Sequence, residues 1–388
     1  MKAKRKIIPL PFSVYFWTIF SMIFFGLADS IYLSISHYHV YTDIGYRSFC
    51  AITRAINCDT VSQSPYSILL GLPVPIWGVI GYTFLLLLIP FACRKKADKK
   101  QIWALLFFIM LIYSGYSIVL AVISTFYIKS YCIMCITTYA VNLLLLFYIW
   151  LIRKRFDPNT GPIFALKQDF IYLWHIKTRT IPVFSFFLAG IILLCIFFPS
   201  YWQLAPPTIS NDIPTGITEE GHPWIGAKNP KLTITEYADY QCFQCKKMHF
   251  YLRELIAKYP EKIRLVHRHF PMDQEFNPLV KERFHIGSGK MALMAEYAKM
   301  RGKFWGMNDL LYQLSHKGFI NTRKIGAKIG LNYRDLALSS SDPVLRYALK
   351  HDIAVGIKLG ITGTPGFVIN GKTYLGQLPP EIIKKVIE

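Results

Sequence analysis

The stretch Tyr131-Cys132-Ile133-Met134-Cys135-Ile136-Thr137-Thr138-Tyr139 places a Cys-x-x-Cys motif at the head of an apolar run that reaches to about Ile152. A run of this length is able to cross a bilayer as a helix. The N-terminal end of a helix carries partial positive charge, which favours thiolate and therefore thiol–disulfide exchange. The motif predicts a redox-active dithiol at a membrane surface. A lipid-soluble quinone, of the ubiquinone or menaquinone type, is its expected electron acceptor.

Four further apolar runs lie at about residues 13–34, 75–92, 103–126 and 181–199. The chain of 388 residues is 53% hydrophobic with a mean hydropathy of +0.31, which predicts a membrane part joined to a soluble part. The first run is expected to be an uncleaved anchor, because it is long for a signal peptide and further spans follow. Asp29 lies near its outer end, where a functional carboxyl and one that reaches the headgroups are equally consistent with the sequence.

The net charge of +21 is unevenly distributed. Basic residues cluster at 2–6, 94–100 and 153–179, on the same side of successive spans, whereas the opposite loops carry only Arg47, Arg54 and Lys129. By the positive-inside rule, the N-terminus is predicted to be cytoplasmic and the chain after the fifth span periplasmic or otherwise extracytoplasmic. The expected location is a bacterial inner membrane, with lipid as a partner. The soluble part has no basic stripe, so nucleic acid is not an expected partner.

In this topology six of the eight cysteines lie on the outer side: Cys50, Cys58, Cys132, Cys135, Cys242 and Cys245. That side is oxidising, so the three pairs are the predicted catalytic residues of a thiol–disulfide relay. Cys93 and Cys195 have no partner at a plausible spacing and are predicted to be ordinary buried or interfacial residues. No metal is expected, because one pair is Cys-x7-Cys, no histidine is close to any pair, and one pair opens a membrane helix.

The C-terminal part has the pattern of a soluble α/β domain behind a linker. A linker of some 20 flexible residues reaches roughly 25 Å, which gives an effective concentration on the order of millimolar. After about residue 226 a strand leads into Cys242-Phe243-Gln244-Cys245, which opens a helix, and Asn370-Gly371 marks a hairpin. The predicted domains are 1–155 (membrane), 156–199 (cytoplasmic segment and fifth span), 200–225 (linker) and 226–388 (soluble). The role of residues 153–180 stays open.

On the fourth span, Cys135, Tyr139 and Asn142 share one helix face because they are spaced i, i+4 and i+7. A phenol and an amide on the face of the thiol are able to hydrogen-bond a quinone carbonyl. Polar side chains also bridge membrane helices. The spacing therefore favours quinone binding for Tyr139 and leaves both interpretations open for Asn142.

Residues 10–155 resemble the vitamin K epoxide reductase family. The matching features are Cys50 and Cys58 in the outer loop, Ser64, the Gly71-Leu72-Pro73 turn with Trp77-Gly78 entering the second span, and the segment from Cys132 to Tyr139. The resemblance implies a four-helix bundle around a quinone. It implies that Cys135 faces the quinone, that Cys132 exchanges with Cys58, and that Cys50 meets a thioredoxin-like partner. Ser64, Trp77, Tyr139 and Asn142 are the candidate quinone contacts.

Residues 226–388 resemble a DsbA-like thioredoxin-fold domain, through Cys242-Phe243-Gln244-Cys245, the strand end Arg268-His269-Phe270-Pro271 and the pair Thr364-Pro365. The resemblance implies that Cys242 is the nucleophile, that Cys245 is the resolving thiol, and that Thr364 and a cis Pro365 position substrate. The Phe243-Gln244 dipeptide lacks the histidine of the strongest oxidants in that family. The potential of the pair is therefore not predicted.

The predicted fold is multi-domain: an all-α transmembrane four-helix bundle with a fifth transmembrane helix, followed by a soluble α/β thioredoxin-fold domain. The predicted activity is that of a thiol:quinone oxidoreductase that makes disulfides in exported proteins, with its own thioredoxin-like domain as a partner in cis. Two alternatives stay open. One is a membrane-anchored disulfide isomerase or reductase, and the other is a thiol metal-binding protein.

Overall fold

The computed structural model describes residues 10–53, 55–92, 102–156, 161–207, 213–314 and 321–387. The chain divides into two compact units, Met1–Tyr201 and Trp202–Glu388. The first unit is helical and the second is built on a β-sheet, so the predicted multi-domain layout is confirmed. The predicted placement of Cys93, and of the basic residues at 2–6 and 94–100, lies outside the described residues.

The described residues of the first unit form seven α-helices and one short hairpin. These elements are α1 (Phe12–Thr42), α2 (Cys58–Ser62), β1 (Ile68–Leu69), β2 (Leu72–Pro73), α3 (Val74–Leu88), α4 (Trp103–Ile123), α5 (Ile133–Phe156), α6 (Pro162–His175) and α7 (Lys177–Phe197). Five helical segments are long and apolar enough to cross a membrane, namely Phe12–Thr42, Val74–Ala92, Trp103–Ile128, Ile133–Phe156 and Lys177–Phe197. The five predicted spans are confirmed, and the chain is a multi-pass membrane protein.

Four of the spans, α1, α3, α4 and α5, pack around one apolar core. The core side chains with almost no exposed surface include Ile19, Ile23, Leu85, Leu106, Met110, Leu145 and Ile149. The fifth span, α7, buries little of itself, and its Phe186 is 84% exposed. An apolar helix surface of this kind suits lipid rather than water. Cys195 on α7 is a free thiol, as expected from its lack of a partner, and it is exposed rather than buried because α7 lies outside the bundle core.

Two local expectations differ from the structure. Helix α1 continues to Thr42, where the sequence predicted an outer loop from residue 35, because the polar turn buries His37, Val40 and Tyr41 and packing sustains the helix. Residues 64–73 are short and amphipathic in sequence, a pattern that predicts a half-helix on the membrane, but the structure has a single 3-10 turn at Pro65–Ser67 followed by a hairpin of β1 and β2. Leu70 and Gly71 both have positive φ, which is the backbone of a two-residue hairpin turn.

The second unit contains a six-stranded sheet with helices packed against it. Its elements are β3 (Thr215–Ile217), β4 (Pro223–Gly226), β5 (Leu232–Ala238), α8 (Phe243–Lys258), β6 (Ile263–His269), α9 (Ser288–Met300), α10 (Phe304–Leu314), α11 (Thr322–Ile329), α12 (Tyr333–Leu338), α13 (Pro343–Lys358), β7 (Gly366–Ile369), β8 (Lys372–Leu375) and α14 (Pro380–Ile387). The strand order is β3-β4-β6-β5-β7-β8, in which β5 and β6 are parallel and the other neighbours antiparallel.

The sheet begins earlier than the sequence predicted. Strands β3 and β4 occupy part of the segment 200–225 that was expected to be linker. Both strands are short and rich in Thr, Gly and Pro, which is a turn-like composition. Pairing with β6 through β4 supplies their hydrogen bonds, and this pairing is not visible in local sequence.

Candidate functional site

Four cysteines of the membrane unit form two adjacent disulfides, Cys50–Cys58 and Cys132–Cys135. The Cα atoms of the two pairs are 5.7 Å and 5.2 Å apart. Cys50, Cys58 and Cys132 lie with Leu33 in one buried cluster, against which the partly buried Cys135 packs. This arrangement brings both pairs to the same end of the bundle, where α1 ends and α5 begins.

A backbone bridge holds the loop pair beside the helix pair. The Asn57 N–H donates to the Tyr131 carbonyl at 2.9 Å, and the Tyr131 N–H donates to the Ala55 carbonyl at 2.7 Å. Residues 55–57 therefore run alongside the residue that precedes Cys132. In addition, the Cys132 sulfur accepts from the Cys135 N–H at 3.1 Å, as expected for a residue at the first turn of α5.

A cavity of about 540 Å³ opens between the spans at Cys135. Its lining includes all four residues that the sequence proposed as quinone contacts, namely Ser64, Trp77, Tyr139 and Asn142. Most of the remaining lining is aliphatic or aromatic, as in pockets for apolar ligands. The structure thus brings the predicted contacts together with the predicted thiol, while their role toward a quinone stays a prediction.

The hydrogen bonds divide these four side chains into two kinds. Ser64 donates to the Val61 carbonyl at 2.8 Å, and Trp77 donates to the Leu69 carbonyl at 2.9 Å, so both hold the local backbone.

Asn142 accepts from the Tyr82 hydroxyl at 2.8 Å and donates to Ser117 at 3.0 Å, which ties α5 to α3 and α4. The bridging interpretation of Asn142 therefore gains support. Within the described part of the chain, the Tyr139 hydroxyl has no hydrogen-bond partner and is able to receive one from a ligand.

Three polar groups near the cavity were missed or left open by the sequence. His37 lines the cavity, with its Nδ1 2.8 Å from the Tyr201 hydroxyl and its Nε2 3.3 Å from Ser67. Tyr82 reaches Asn142, as described above. Asp29 is buried and accepts from the Thr138 hydroxyl. In the sequence, each of these residues is marked only as a polar side chain in or next to an apolar run. Asp29 was singled out on that ground, but His37 and Tyr82 were not.

The second unit carries the remaining pair, Cys242 and Cys245, as free thiols. Cys242 is the N-cap of α8, and its sulfur accepts from the Cys245 N–H at 3.3 Å. The same sulfur lies 3.5 Å from the Thr364 carbonyl oxygen, to which the thiol donates. The Thr364–Pro365 peptide bond is cis, as the resemblance implied.

The two thiols have opposite electrostatic environments. Burial alone would raise the pKa of Cys242, but the hydrogen bond from Cys245 and the positive field of His285 outweigh it and lower that pKa. Burial and the hydrogen bond to Cys242 raise the pKa of Cys245 well above its ordinary value. Cys242 is therefore the thiol that ionises first, which fits the predicted nucleophile.

His285 was not among the predicted site residues, because it is 43 positions from Cys242 in the chain. Its Nδ1 lies 2.9 Å from Asp239 Oδ2, and the same oxygen accepts from Met272 N–H at 2.6 Å and from Ser288 Oγ at 3.0 Å. Asp239 thus fixes the imidazole near the first turn of α8. The sequence carries no signal of this contact, since it arises from the loop before α9.

A buried chain of acids and histidines lies under the sheet. Glu236 Oε1 is 2.5 Å from His249 Nδ1 and 2.7 Å from His267 Nδ1. His267 Nε2 is 3.3 Å from His269 Nδ1, and His269 Nε2 is 3.3 Å from Glu296 Oε1.

Glu236, His249 and His267 have the donor atoms of a metal site within 4.8 Å of one another. Their mutual hydrogen bonds already account for the geometry, so the cluster gives no argument for a metal.

The features of the two units define a class: a multi-pass membrane protein with paired cysteines beside a cavity between its spans, joined to a sheet domain with a Cys-x-x-Cys motif. Comparison with known families agrees. Residues 17–150 match the model of the vitamin K epoxide reductase family, and residues 218–388 match a thioredoxin model. Residues 17–150 therefore form a domain of the vitamin K epoxide reductase family, and residues 218–388 form a thioredoxin-like domain.

Individual relatives are distant. The Na(+)/H(+) antiporter NhaA of Herminiimonas arsenicoxydans is 25% identical over 166 residues, which are 42% of this chain and 24% of the relative. NhaA 3 of Salinispora tropica is 26% identical over 165 residues, again 42% of this chain and 24% of the relative. The chain spans about a quarter of the length of these curated relatives.

Each of the similar solved structures covers less than half of this chain. A thioredoxin-like oxidoreductase from Silicibacter pomeroyi is 23% identical, with a TM-score of 0.35, and covers 44% of this chain and 91% of that one. Pseudomonas aeruginosa DsbA2 is 23% identical, with a TM-score of 0.33, and covers 42% of this chain and 91% of that one.

Proposed function

We propose that the chain is a membrane thiol–disulfide oxidoreductase that forms disulfides in exported proteins and passes the electrons to a membrane quinone. The observation that carries the proposal is the placement of Cys135. It belongs to a disulfide packed against the loop pair Cys50–Cys58, and it also lines an apolar cavity between membrane spans. A dithiol in that position contacts thiol partners on one side and a lipid-soluble acceptor on the other.

The relay has three exchanges, each by attack of a thiolate on a disulfide. A reduced substrate attacks the oxidised Cys242–Cys245 pair, becomes a disulfide itself and leaves two thiols. These thiols reduce Cys50–Cys58, which in turn reduces Cys132–Cys135. Each exchange moves two electrons and two protons and forms one S–S bond for every one broken. A bound quinone supplies the final acceptor of two electrons and two protons.

Individual roles follow from position. Cys132 lies in the buried cluster with Cys58, which supports exchange between these two, and Cys135 lines the cavity, which supports its contact with the quinone. Cys242 is the more acidic thiol of its pair and is assigned as the sulfur of the oxidised pair that the substrate thiolate attacks. Cys50 is assigned the thiol–disulfide exchange with Cys242, as the family resemblance implies.

The residues around the cavity fit a quinone. The lining is predominantly apolar, and Tyr139 offers a hydroxyl to a ring carbonyl. Ser64 and Trp77 would hold the loop that closes the cavity, and Asn142 would fix the helix face that carries Cys135 and Tyr139. The proposed orientation places the N-terminus in the cytoplasm of a bacterial cell and the six paired cysteines outside it, where disulfides persist.

The test uses the purified full-length chain in detergent with a reduced dithiol peptide and a short-chain soluble quinone. Peptide oxidation and quinone reduction are followed together. We expect one quinone to be reduced for each peptide disulfide. Cys135→Ala, Cys58→Ala and Cys242→Ala should each stop the coupled reaction. Cys195→Ala is the matched control, because this exposed thiol on α7 lies outside the relay.

Two other outcomes separate the alternatives. Thiol exchange with peptide in the absence of quinone reduction would favour an isomerase or reductase. A stoichiometric metal held by Cys242 and Cys245 in the purified protein would favour a metal-binding protein and overturn the proposal.

A further inference from the structure

Asp29 is the acidic residue of the five spans. No other Asp or Glu occurs in the helical segments that are long enough to cross the membrane. It is 4% exposed and faces the interior of the bundle from α1. An ionised carboxylate without a cation costs several kcal/mol at such a position, so a buried carboxyl in a membrane span is usually neutral, paired or functional.

The contacts of Asp29 indicate its protonation state. Its Oδ2 is within hydrogen-bond reach of the Thr138 hydroxyl, and that hydroxyl is also 3.3 Å from the Met134 carbonyl oxygen. One hydroxyl hydrogen satisfies only one of these acceptors. If Asp29 is protonated, its O–H donates to Thr138 Oγ1 and the Thr138 O–H donates to the Met134 carbonyl. The protonated form thus satisfies both contacts, whereas the ionised form leaves one of them unsatisfied.

Asp29 has no cation near its second oxygen. Oδ1 is buried and has no hydrogen-bond partner among the described residues. The described cavity lining beside it contains no Lys, Arg, Asp or Glu. The titratable groups in that lining are His37, Tyr66, Tyr82, Tyr113, Tyr116, Cys135 and Tyr139. A carboxyl in these surroundings holds its proton and releases it only to a group that has just gained negative charge.

Thr138 connects this carboxyl to the redox centre. It lies three residues after Cys135 on α5, so the two side chains are neighbours on one helix face. Both line the cavity, as does Ser30, the residue after Asp29. The ring of Tyr82 lies directly against Gly26, one turn before Asp29, and any larger side chain there would collide with it. The packing therefore holds the polar groups of α1, α3 and α5 together at the cavity wall.

We propose that Asp29 is the proton-transfer residue of the membrane unit and acts through the Thr138 hydroxyl. The inference rests on the proposed function. When the Cys132/Cys135 dithiol is oxidised, two S–H bonds break, one S–S bond forms, and two electrons and two protons pass to the acceptor in the cavity.

For each proton, Asp29 gives its hydrogen to Thr138 while Thr138 gives its own to the cavity. The proton of a cysteine thiol then returns to Asp29 by the same route, so the carboxyl begins and ends the turnover protonated.

The first measurement is spectroscopic and independent of turnover. Infrared difference spectra of the full-length chain, recorded between the oxidised and reduced forms, should contain a C=O stretching band of a protonated carboxylic acid. The band should shift in heavy water and should be absent in Asp29→Asn. A band that is unchanged in this variant, or no band at all in the parent chain, overturns the proposal.

The second measurement is kinetic, with dithiothreitol as the reductant and a short-chain soluble quinone as the acceptor. Asp29→Asn keeps the size and one hydrogen bond but carries no exchangeable acid, and we expect roughly a 100-fold fall in kcat, the usual size of a general acid–base contribution. Asp29→Glu should restore most of the rate with a shifted pH profile. Thr138→Val should lower kcat as Asp29→Asn does, and Thr138→Ser should not.

Thr137→Val is the matched control for Thr138→Val. Thr137 makes only a local bond to the Ile133 carbonyl, at 3.1 Å, and does not line the cavity. If Asp29→Asn and Thr138→Val keep the parent rate and pH profile, the proton-transfer proposal fails while the relay stands. If the parent chain itself reduces no quinone, the proposed function and this inference both fall. Thermal unfolding in detergent, compared with the parent chain, reports folding in every variant.

Discussion

His285 is a residue outside the Cys-x-x-Cys motif that helps to distinguish Cys242 from Cys245. Its positive field, together with the hydrogen bond from Cys245, lowers the pKa of Cys242 despite burial. We expect His285→Gln to raise the pKa of Cys242, because the variant loses the positive field that stabilises the thiolate. The measurement is the rate of iodoacetamide alkylation of Cys242 against pH, followed by mass spectrometry.

The controls for this experiment are internal. Gln retains a donor for Asp239, so the loop that holds residue 285 should keep its place. Cys245, whose pKa burial raises, should react far more slowly than Cys242 in both proteins. An alkylation profile that does not move in His285→Gln would mean that the helix N-terminus alone sets the reactivity of Cys242.

Single residues also show where sequence reasoning was sufficient. The two Cys-x-x-Cys pairs were located by spacing, because this motif at the start of a helix has few other uses, whereas Cys50 and Cys58 were paired from their common loop and from the family resemblance. Asp239, His285 and Tyr82 were not found, because each acts through a contact between elements distant in the chain. Asn142 was predicted to be either a ligand or a bridge, and only the bonds to Tyr82 and Ser117 favour one of them.

Among the helices, α6 has a structural role that the sequence left open. Its Asp169 accepts from the backbone N–H groups of Ile102 at 2.6 Å, Ala104 at 3.0 Å and Leu105 at 2.9 Å, at the start of α4. These donors lie at the beginning of a helix and have no partner within it. The partial positive charge at this end of the helix dipole also stabilises a carboxylate there.

We expect Asp169→Ala to lower the free energy of unfolding by about 2 kcal/mol, because caps that are lost at helix N-termini cost up to this much. Asp169→Asn keeps one acceptor oxygen and should cost about half as much. Thermal unfolding in detergent gives the ranking, and amide hydrogen exchange at the start of α4 should rise in the same order. Equal stability of both variants and the parent would show that α6 does not support α4.

Strands β5 and β6 and helices α8 and α9 share the buried chain of acids and histidines, which predicts acid sensitivity. Burial alone would raise the pKa of Glu236, but His249 and His267 hold it at about 2. Burial lowers the pKa of His249 and His269. The unfolded chain therefore binds more protons than the folded one, first on the histidines and then on the acid.

The sign is the same for both kinds of group. The histidines contribute stability that is full above about pH 6.5 and is lost as the pH falls below it. Glu236 contributes stability that is full above its ordinary pKa of 4.5 and is lost as the pH falls toward about 2. For the full-length chain, we expect the free energy of opening that amide hydrogen exchange reports in β5 and β6 to fall as the pH drops below about 6.5. Glu236→Gln should flatten the lower part of this profile, and a profile already flat in the parent would contradict the argument.

The sequence predicted the membrane spans better than the short strands, and the reason is physical. Spans follow from composition over about 20 residues, so all five were found, with ends that differ from those of the helices by up to eight positions, the largest difference being residue 34 against Thr42. The hairpin at Leu70-Gly71 and strands β3 and β4 depend on turn geometry and on pairing with distant strands, which no local pattern encodes. The last turns of α1 stay helical because His37 and Tyr41 are buried there. The polar composition of this segment did not indicate that burial.

At the scale of the molecule, the two units are joined through a segment after Tyr201 that includes Ala205-Pro206-Pro207. The structure leaves the 13 residues 202–214 between Tyr201 and the start of β3 at Thr215, and a tether of about that length gives an effective concentration on the order of millimolar. If the relay operates in cis, exchange between Cys242/Cys245 and Cys50/Cys58 is unimolecular and independent of protein concentration. Cutting the tether converts the same exchange into a bimolecular reaction.

We therefore expect a protease site inserted after Ala205 to leave coupled peptide oxidation intact until the chain is cut. After cleavage at micromolar protein, the rate should fall by roughly the ratio of millimolar to micromolar concentration, about 1000-fold, and should rise in proportion to added second unit. Quinone reduction with dithiothreitol should not change on cleavage, because the small dithiol reaches Cys50–Cys58 without the tether. A peptide oxidation rate that survives cleavage at high dilution would show that the units associate through their surfaces, so that the linker is not what joins the two halves of the relay.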